Sequence, residues 1–124
     1  MEPFGAPTNF KEKNMSSISS KVRQSVVLAA DGQVQALVAG SAANITKANI
    51  MTIYGQASAA DAEIKLYNEI GDAKTASALI FHGKFGANAN EIMEINLPGA
   101  GIYADTGIYA DVTNCDFFYI VGTF

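Results

Sequence analysis

The chain has 124 residues, of which 49% are apolar and 16% charged, and its formal net charge is −4. That length predicts one domain, large enough to bury roughly two-thirds of its unfolded surface and to fold without disulfides or a structural metal. The eight basic residues are scattered singly, Cys115 is alone, and no apolar run approaches ~18 residues. Direct nucleic-acid binding, an internal disulfide, a multi-Cys zinc site and a membrane-spanning helix are therefore not expected.

Residues 1–20 differ from the rest of the chain. Pro3, Gly5, Pro7, Asn9, Asn14 and the serines at 16, 17, 19 and 20 interrupt any regular pattern. Phe4, Phe10 and Ile18 are nevertheless spaced along the segment. The expectation is an extended N-terminal arm that plants these three side chains on a neighbouring subunit; the alternative is a disordered tail. The opening run, MEPFGAPTNFKEKN, has an acid at position 2 and neither a basic n-region nor an apolar h-region. It does not read as a secretory signal, which predicts synthesis and folding in a reducing cytoplasm. Met15 is a second candidate start.

From residue 21 onward, short apolar runs alternate with turn residues. Residues 22–29 and 33–39 flank Ala30-Asp31-Gly32 and predict a hairpin. A turn of helix is expected near residues 41–44. Residues 49–56 (NIMTIYGQ) are rich in β-branched and aromatic types and predict a strand. Residues 58–70 admit two readings. Ser58 to Asp61 resembles a capping box and Gly71 a helix C-cap. The parity of residues 62–70 is that of a strand, with Ala62, Ile64, Leu66 and Ile70 on one side and Glu63, Lys65, Tyr67 and Glu69 on the other. A helix would point Ile64 and Leu66 apart, so a strand is expected.

Residues 77–85 alternate, with Leu79, Phe81 and Phe85 on one face and Ile80, His82 and Lys84 on the other. Residues 91–97 put Met93, Ile95 and Leu97 together, and Pro98-Gly99-Ala100-Gly101 then predicts a turn. The sequence GIYAD occurs at 101–105 and again at 107–111. Two short extended pieces meeting at Asp105-Thr106-Gly107 would each turn Ile and Ala to one face and Tyr and Asp to the other. Tyr103 and Tyr109 then offer a surface patch or, more plainly, cover the edge of the core. Residues 117–121 predict a closing strand. Such spacing predicts an all-β fold, an antiparallel β-sandwich of about eight strands over residues 21–124, with residues 1–20 as the arm.

The chemistry-bearing residues are few. His82 and Cys115 could form a thiol–imidazole pair, but Asp116 beside the thiol would raise its pKa. Asp105, Asp111 and Asp116 could supply hard oxygen ligands to calcium, yet no EF-hand loop or Asp-rich repeat is present. Asp61/Glu63 and Glu91/Glu94 are carboxylate pairs whose strand spacing does not establish a glycosidase separation. Gly99-Ala100-Gly101 leads into an extended run, so no helix N-terminus stands ready for a phosphate. The expectation is a non-enzymatic chain with no catalytic residue, no metal and no cofactor.

Residues 62–68 (AEIKLYN), 80–85 (IFHGKF) and the tail from Ile95 (INLPGAGIYADTGIYADVTNCDFFYIVGTF) resemble small structural proteins of tailed bacteriophages, of the marine and cyanobacterial phage type. The likeness covers roughly residues 50–124 and lies in a succession of strands and turns. It implies a jelly-roll decoration or cement protein on the outer surface of a capsid, often trimeric. The implied partners are further copies of the chain and the major capsid protein or another virion protein. It carries no catalytic residue over. The alternative function is a β-sandwich binding module that recognises a glycan or a host surface through Tyr103, Tyr109 and nearby carboxylates.

Overall fold

The computed structural model describes residues 21–85 and 88–124. The expected arm, with Phe4, Phe10 and Ile18, lies outside the described residues. Eleven strands follow in order: β1 (Val22–Gln24), β2 (Gly32–Gln33), β3 (Gln35–Val38), β4 (Ser41–Asn44), β5 (Ala48–Ala57), β6 (Ala62–Tyr67), β7 (Leu79–Phe85), β8 (Ile92–Asn96), β9 (Ile102–Ala104), β10 (Tyr109–Thr113) and β11 (Cys115–Thr123). A 3-10 turn over Ala76–Ala78 leads into β7. Among the described residues there is no α-helix.

The strands form two sheets and a separate hairpin. One sheet runs β1-β11-β5-β8, with β9 also paired to β5; the other runs β2-β10-β6-β7; β3 and β4 pair with each other. All the pairings are antiparallel. Because β8 meets β5 at residues 52–56 and β9 meets it at 48–50, the two act as one strand interrupted by the Pro98 turn. With the β3–β4 hairpin set aside, eight strands remain. Their order is first-eighth-third-sixth in one sheet and second-seventh-fourth-fifth in the other. That is the strand order of a jelly roll, a long antiparallel ribbon rolled into two facing sheets.

Period-two patterning creates the core. Ile50, Ile53, Ile64, Leu66, Ile108, Phe118 and Ile120 are fully or almost fully buried between the sheets. Each such side chain contributes roughly 1.5–3 kcal/mol of burial. The outward positions carry the polar partners, and Tyr54 and Tyr119 lie directly opposite each other with ring centroids 5.2 Å apart. The expected strands at 49–56, 79–85, 91–97 and 117–121 all form. Leu79, expected to share the face of Phe81 and Phe85, is nevertheless exposed, and Ile80, expected opposite, packs against the core. A register shift opposite Leu66 and Tyr67 breaks the parity there. The segment from Ala62 is a strand, with Ala62, Ile64 and Leu66 inward and Glu63 and Lys65 turned out. Its parity ends early: Tyr67 is buried, and Ile70, expected inside, is half exposed in the loop after β6.

Two local expectations are corrected. Residues 22–29 and 33–39 do not form a hairpin. The first run pairs with the closing strand, Val22 opposite Thr123 and Leu28 bridged to Phe118. The second is divided between β2 and β3, and only Val26 N–H still donates to Gln35 O, at 2.8 Å. Asp31 does not turn a hairpin. Its carboxylate accepts from Val112 N–H at 2.8 Å and ties the bend to β10. The hairpin instead comes one strand later, where Ala39 (φ 52) and Gly40 (φ 86) make the two-residue, positive-φ connection that suits strand twist. Residues 41–44, expected to be helical, are therefore its returning strand.

The GIYAD repeat is folded as two extended pieces, and its copies enter different sheets. Ile102–Ala104 joins β5 and Tyr109–Thr113 joins β6 and β2. Ala104, Ile108 and Ala110 are buried and Ile102 partly so, as the pattern requires.

Candidate functional site

The residues able to do chemistry are each held by a local partner. His82 Nε2 is bonded to the Glu63 carboxylate across β6 and β7, where Glu63 and His82 sit diagonally in register. This bond holds the Glu63 carboxyl below the usual range, with lesser help from the charges of His82, Lys65 and Lys84. The Cys115 thiol packs against the core and contacts the carbonyls of Thr113 and Glu63 at 3.5 and 3.9 Å. Burial pushes its pKa up and Asp116 adds to the shift, so the thiolate that nucleophilic chemistry needs is disfavoured.

The three aspartates weighed as calcium ligands are separately placed. Asp105 Oδ1 accepts from Asn68 Nδ2 at 2.8 Å and from Thr106 Oγ1 at 3.1 Å, which together lower its pKa. Asp111 faces Lys74 at 3.8 Å, and Lys74 also reaches Asp31 at 3.3 Å. Asp116 is exposed on β11. Among the described residues no three His, Cys, Asp or Glu side chains gather as a metal site would require.

Tyr103 is exposed on β9, and Tyr109 is half-buried on β10 in the other sheet. The repeat therefore distributes its tyrosines between the two sheets. Tyr109 lies close to the loop that carries Lys74, and burial raises its hydroxyl pKa, with the Asp31 charge acting in the same sense. Gln33 fastens this loop by donating to Glu69 O at 3.0 Å and accepting from Gly71 N–H at 2.9 Å.

The feature with most reach is apolar. Val22, Val27, Leu37 and Val38 are between 48% and 60% exposed; Val38 lines one groove beside Arg23, and Val27 and Leu37 line another. Both grooves are walled by Arg23. One, of about 290 Å³, is lined by Ala36, Val38, Ala43, Ile45, Lys47 and Phe124 among others. The other, of about 380 Å³, is lined by residues 24–27 and Leu37. Arg23 is fixed between them, its Nε donating to Phe124 O at 2.7 Å and its guanidinium 5.2 Å from the Phe124 ring centroid. Apolar side chains thus line both grooves beside β1, close to Lys21, the first described residue.

Sequence reasoning missed this surface, although one signal was available. Leu37 and Val38 are adjacent in a strand, and adjacent strand residues face opposite ways. Both are exposed because the hairpin stands apart from the two sheets.

Comparison with protein-family models, curated proteins and solved structures finds no match. No family is assigned. The functional reading accordingly rests on the site and on the sequence resemblance.

Proposed function

We propose that this chain is a non-enzymatic virion structural protein, a decoration or cement protein that bridges subunits on a bacteriophage capsid surface. The observation that carries the proposal is the exposure of four apolar side chains, Val22, Val27, Leu37 and Val38, on β1, on the segment that follows it and on β3. Exposed apolar surface of this kind favours contact with another protein. A two-sheet scaffold with few functional groups in reach of one another suits a role of holding neighbours together. Many copies, each making modest contacts, would multiply weak affinities across a particle. Trimers are the favoured assembly, and the arm side chains Phe4, Phe10 and Ile18 are the proposed contacts with the capsid protein. Fold alone does not select this role; the resemblance and the exposed apolar side chains supply the preference.

The test is to look for the chain by mass spectrometry in purified phage particles, and to rebind the recombinant protein to particles stripped of it. The expected outcome is presence at high copy number, with deletion of residues 2–14 abolishing attachment while the domain stays folded. Absence from particles, or undiminished attachment after the deletion, would sink the proposal or its arm respectively.

A further inference from the structure

We infer that the groove between Arg23, the β3–β4 hairpin and Phe124 is the resting place of the protein's own N-terminal segment, with the Phe4 ring seated in it. The floor is apolar, formed by Ala36, Val38, Ala43, Ile45 and Phe124, and its charged lining is basic, Arg23 and Lys47. Within residues 1–10 the only charged side chain is Glu2, two positions from Phe4. An aromatic side chain with a nearby carboxylate matches an apolar floor with a basic rim.

The length and attachment of the segment favour its own groove. It joins the domain at Lys21, beside β1, so Phe4 hangs on a tether of 17 residues (21 − 4). A random coil of that length has a root-mean-square span of roughly 21–25 Å. The groove lies next to the anchor point, so the segment meets it at an effective concentration on the order of millimolar. A second copy at micromolar concentration competes poorly with that. Strand parity adds a backbone component. Ser25 N–H donates to Ile120 O and Val26 N–H to Gln35 O, so N–H groups alternate between β11 and the opposite side. Val22 and Gln24 therefore direct theirs away from β11, where they can donate to an added strand.

This inference does not depend on the particle role. It describes the free protein, whatever the protein later attaches to, and it implies that attachment through Phe4 must first lift the ring out of the groove.

The experiment is nuclear magnetic resonance on the full-length chain. Expected are nuclear Overhauser contacts from the Phe4 ring to the methyls of Ala43 and Ile45, and displaced resonances of these methyls in Phe4→Ser. Glu2→Lys should shift the same methyls part of the way. A sample mixing isotope-labelled and unlabelled copies separates the occupants: contacts that survive only between differently labelled copies mean that a second copy fills the groove, which overturns the inference. Methyl resonances unmoved by Phe4→Ser, with no Phe4 contacts, also overturn it. Failure of capsid attachment would leave these signals untouched, so the two proposals fail separately.

Discussion

Asn68 shows how one side chain can organise a connection. Its Oδ1 accepts from the backbone N–H groups of Asp105, Thr106 and Gly107 at 3.1, 2.9 and 3.4 Å, while its Nδ2 donates to Asp105. The bend between the GIYAD copies is thereby pinned to the end of β6. Asn68→Ala removes the acceptor, and water can replace it only in part. The expected loss is about 1–2 kcal/mol in urea denaturation. The same change alters pH dependence. Asp105 has a lower pKa folded than unfolded, chiefly because Asn68 donates to its carboxylate. Its contribution is therefore present above the unfolded value and is lost as pH falls through the folded one. In Asn68→Ala the fall in stability on acidification should be shallower than in the parent. An equal slope would mean that Asp105 is not governed by Asn68. None of this was legible beforehand, because Asn68 and Asp105 are 37 positions apart and no local pattern links them.

Among the elements, those with one buried face were legible and those with none were not. In residues 91–97 the alternation around Met93 is enough to fix the strand and its inward face. Residues 49–56 show a strand by their β-branched and aromatic types, while a register shift leaves Ile50 and Ile53, three apart, both buried. The fork at residues 58–70 was resolved by the same parity. By contrast, β1 is exposed at all three positions, and its partner was misassigned because a turn signal was adjacent. Asp31-Gly32 does bend the chain, but a bend does not specify which strands meet. The Pro98 turn shows the opposite case, in which local chemistry decides. Gly101 has φ +79, and a Cβ there would run into the Ile50 carbonyl, where β9 returns to β5. Gly101→Ala should cost about 2–3 kcal/mol through left-handed strain and backbone displacement. Gly99, also at positive φ (+61) but facing open space, should cost about 1 kcal/mol when made Ala. Thermal melts of the two variants check the difference; equal losses would mean that the approach to Ile50 is unimportant.

At the scale of the whole molecule, the fold class was legible and the exposed apolar side chains of the hairpin were not. Alternation and turn spacing identify a sandwich; they do not show that a detached hairpin will expose Leu37 and Val38, since that depends on where β3 ends up relative to the sheets. The topology also sets the folding behaviour. The first strand pairs with the last, Val22 opposite Thr123, and the core draws on both sheets. Closing such distant contacts is slow, so refolding should take milliseconds to seconds and unfolding should be one cooperative transition. Stopped-flow measurements that gave microsecond folding, or two separated unfolding transitions, would contradict a single rolled ribbon.

The meeting of β1 with β11 has a further consequence for the connectivity itself. Arg23 and Phe124 are in direct contact, so a short linker could join Phe124 to Lys21 and the backbone could be reopened at Gly40, on the exposed hairpin turn. Every ladder of the two sheets would survive such a circular permutation, since the hairpin belongs to neither. The order in which the strands are written is thus separable from the architecture they build, and a guest peptide could be displayed at the new ends without crossing the core.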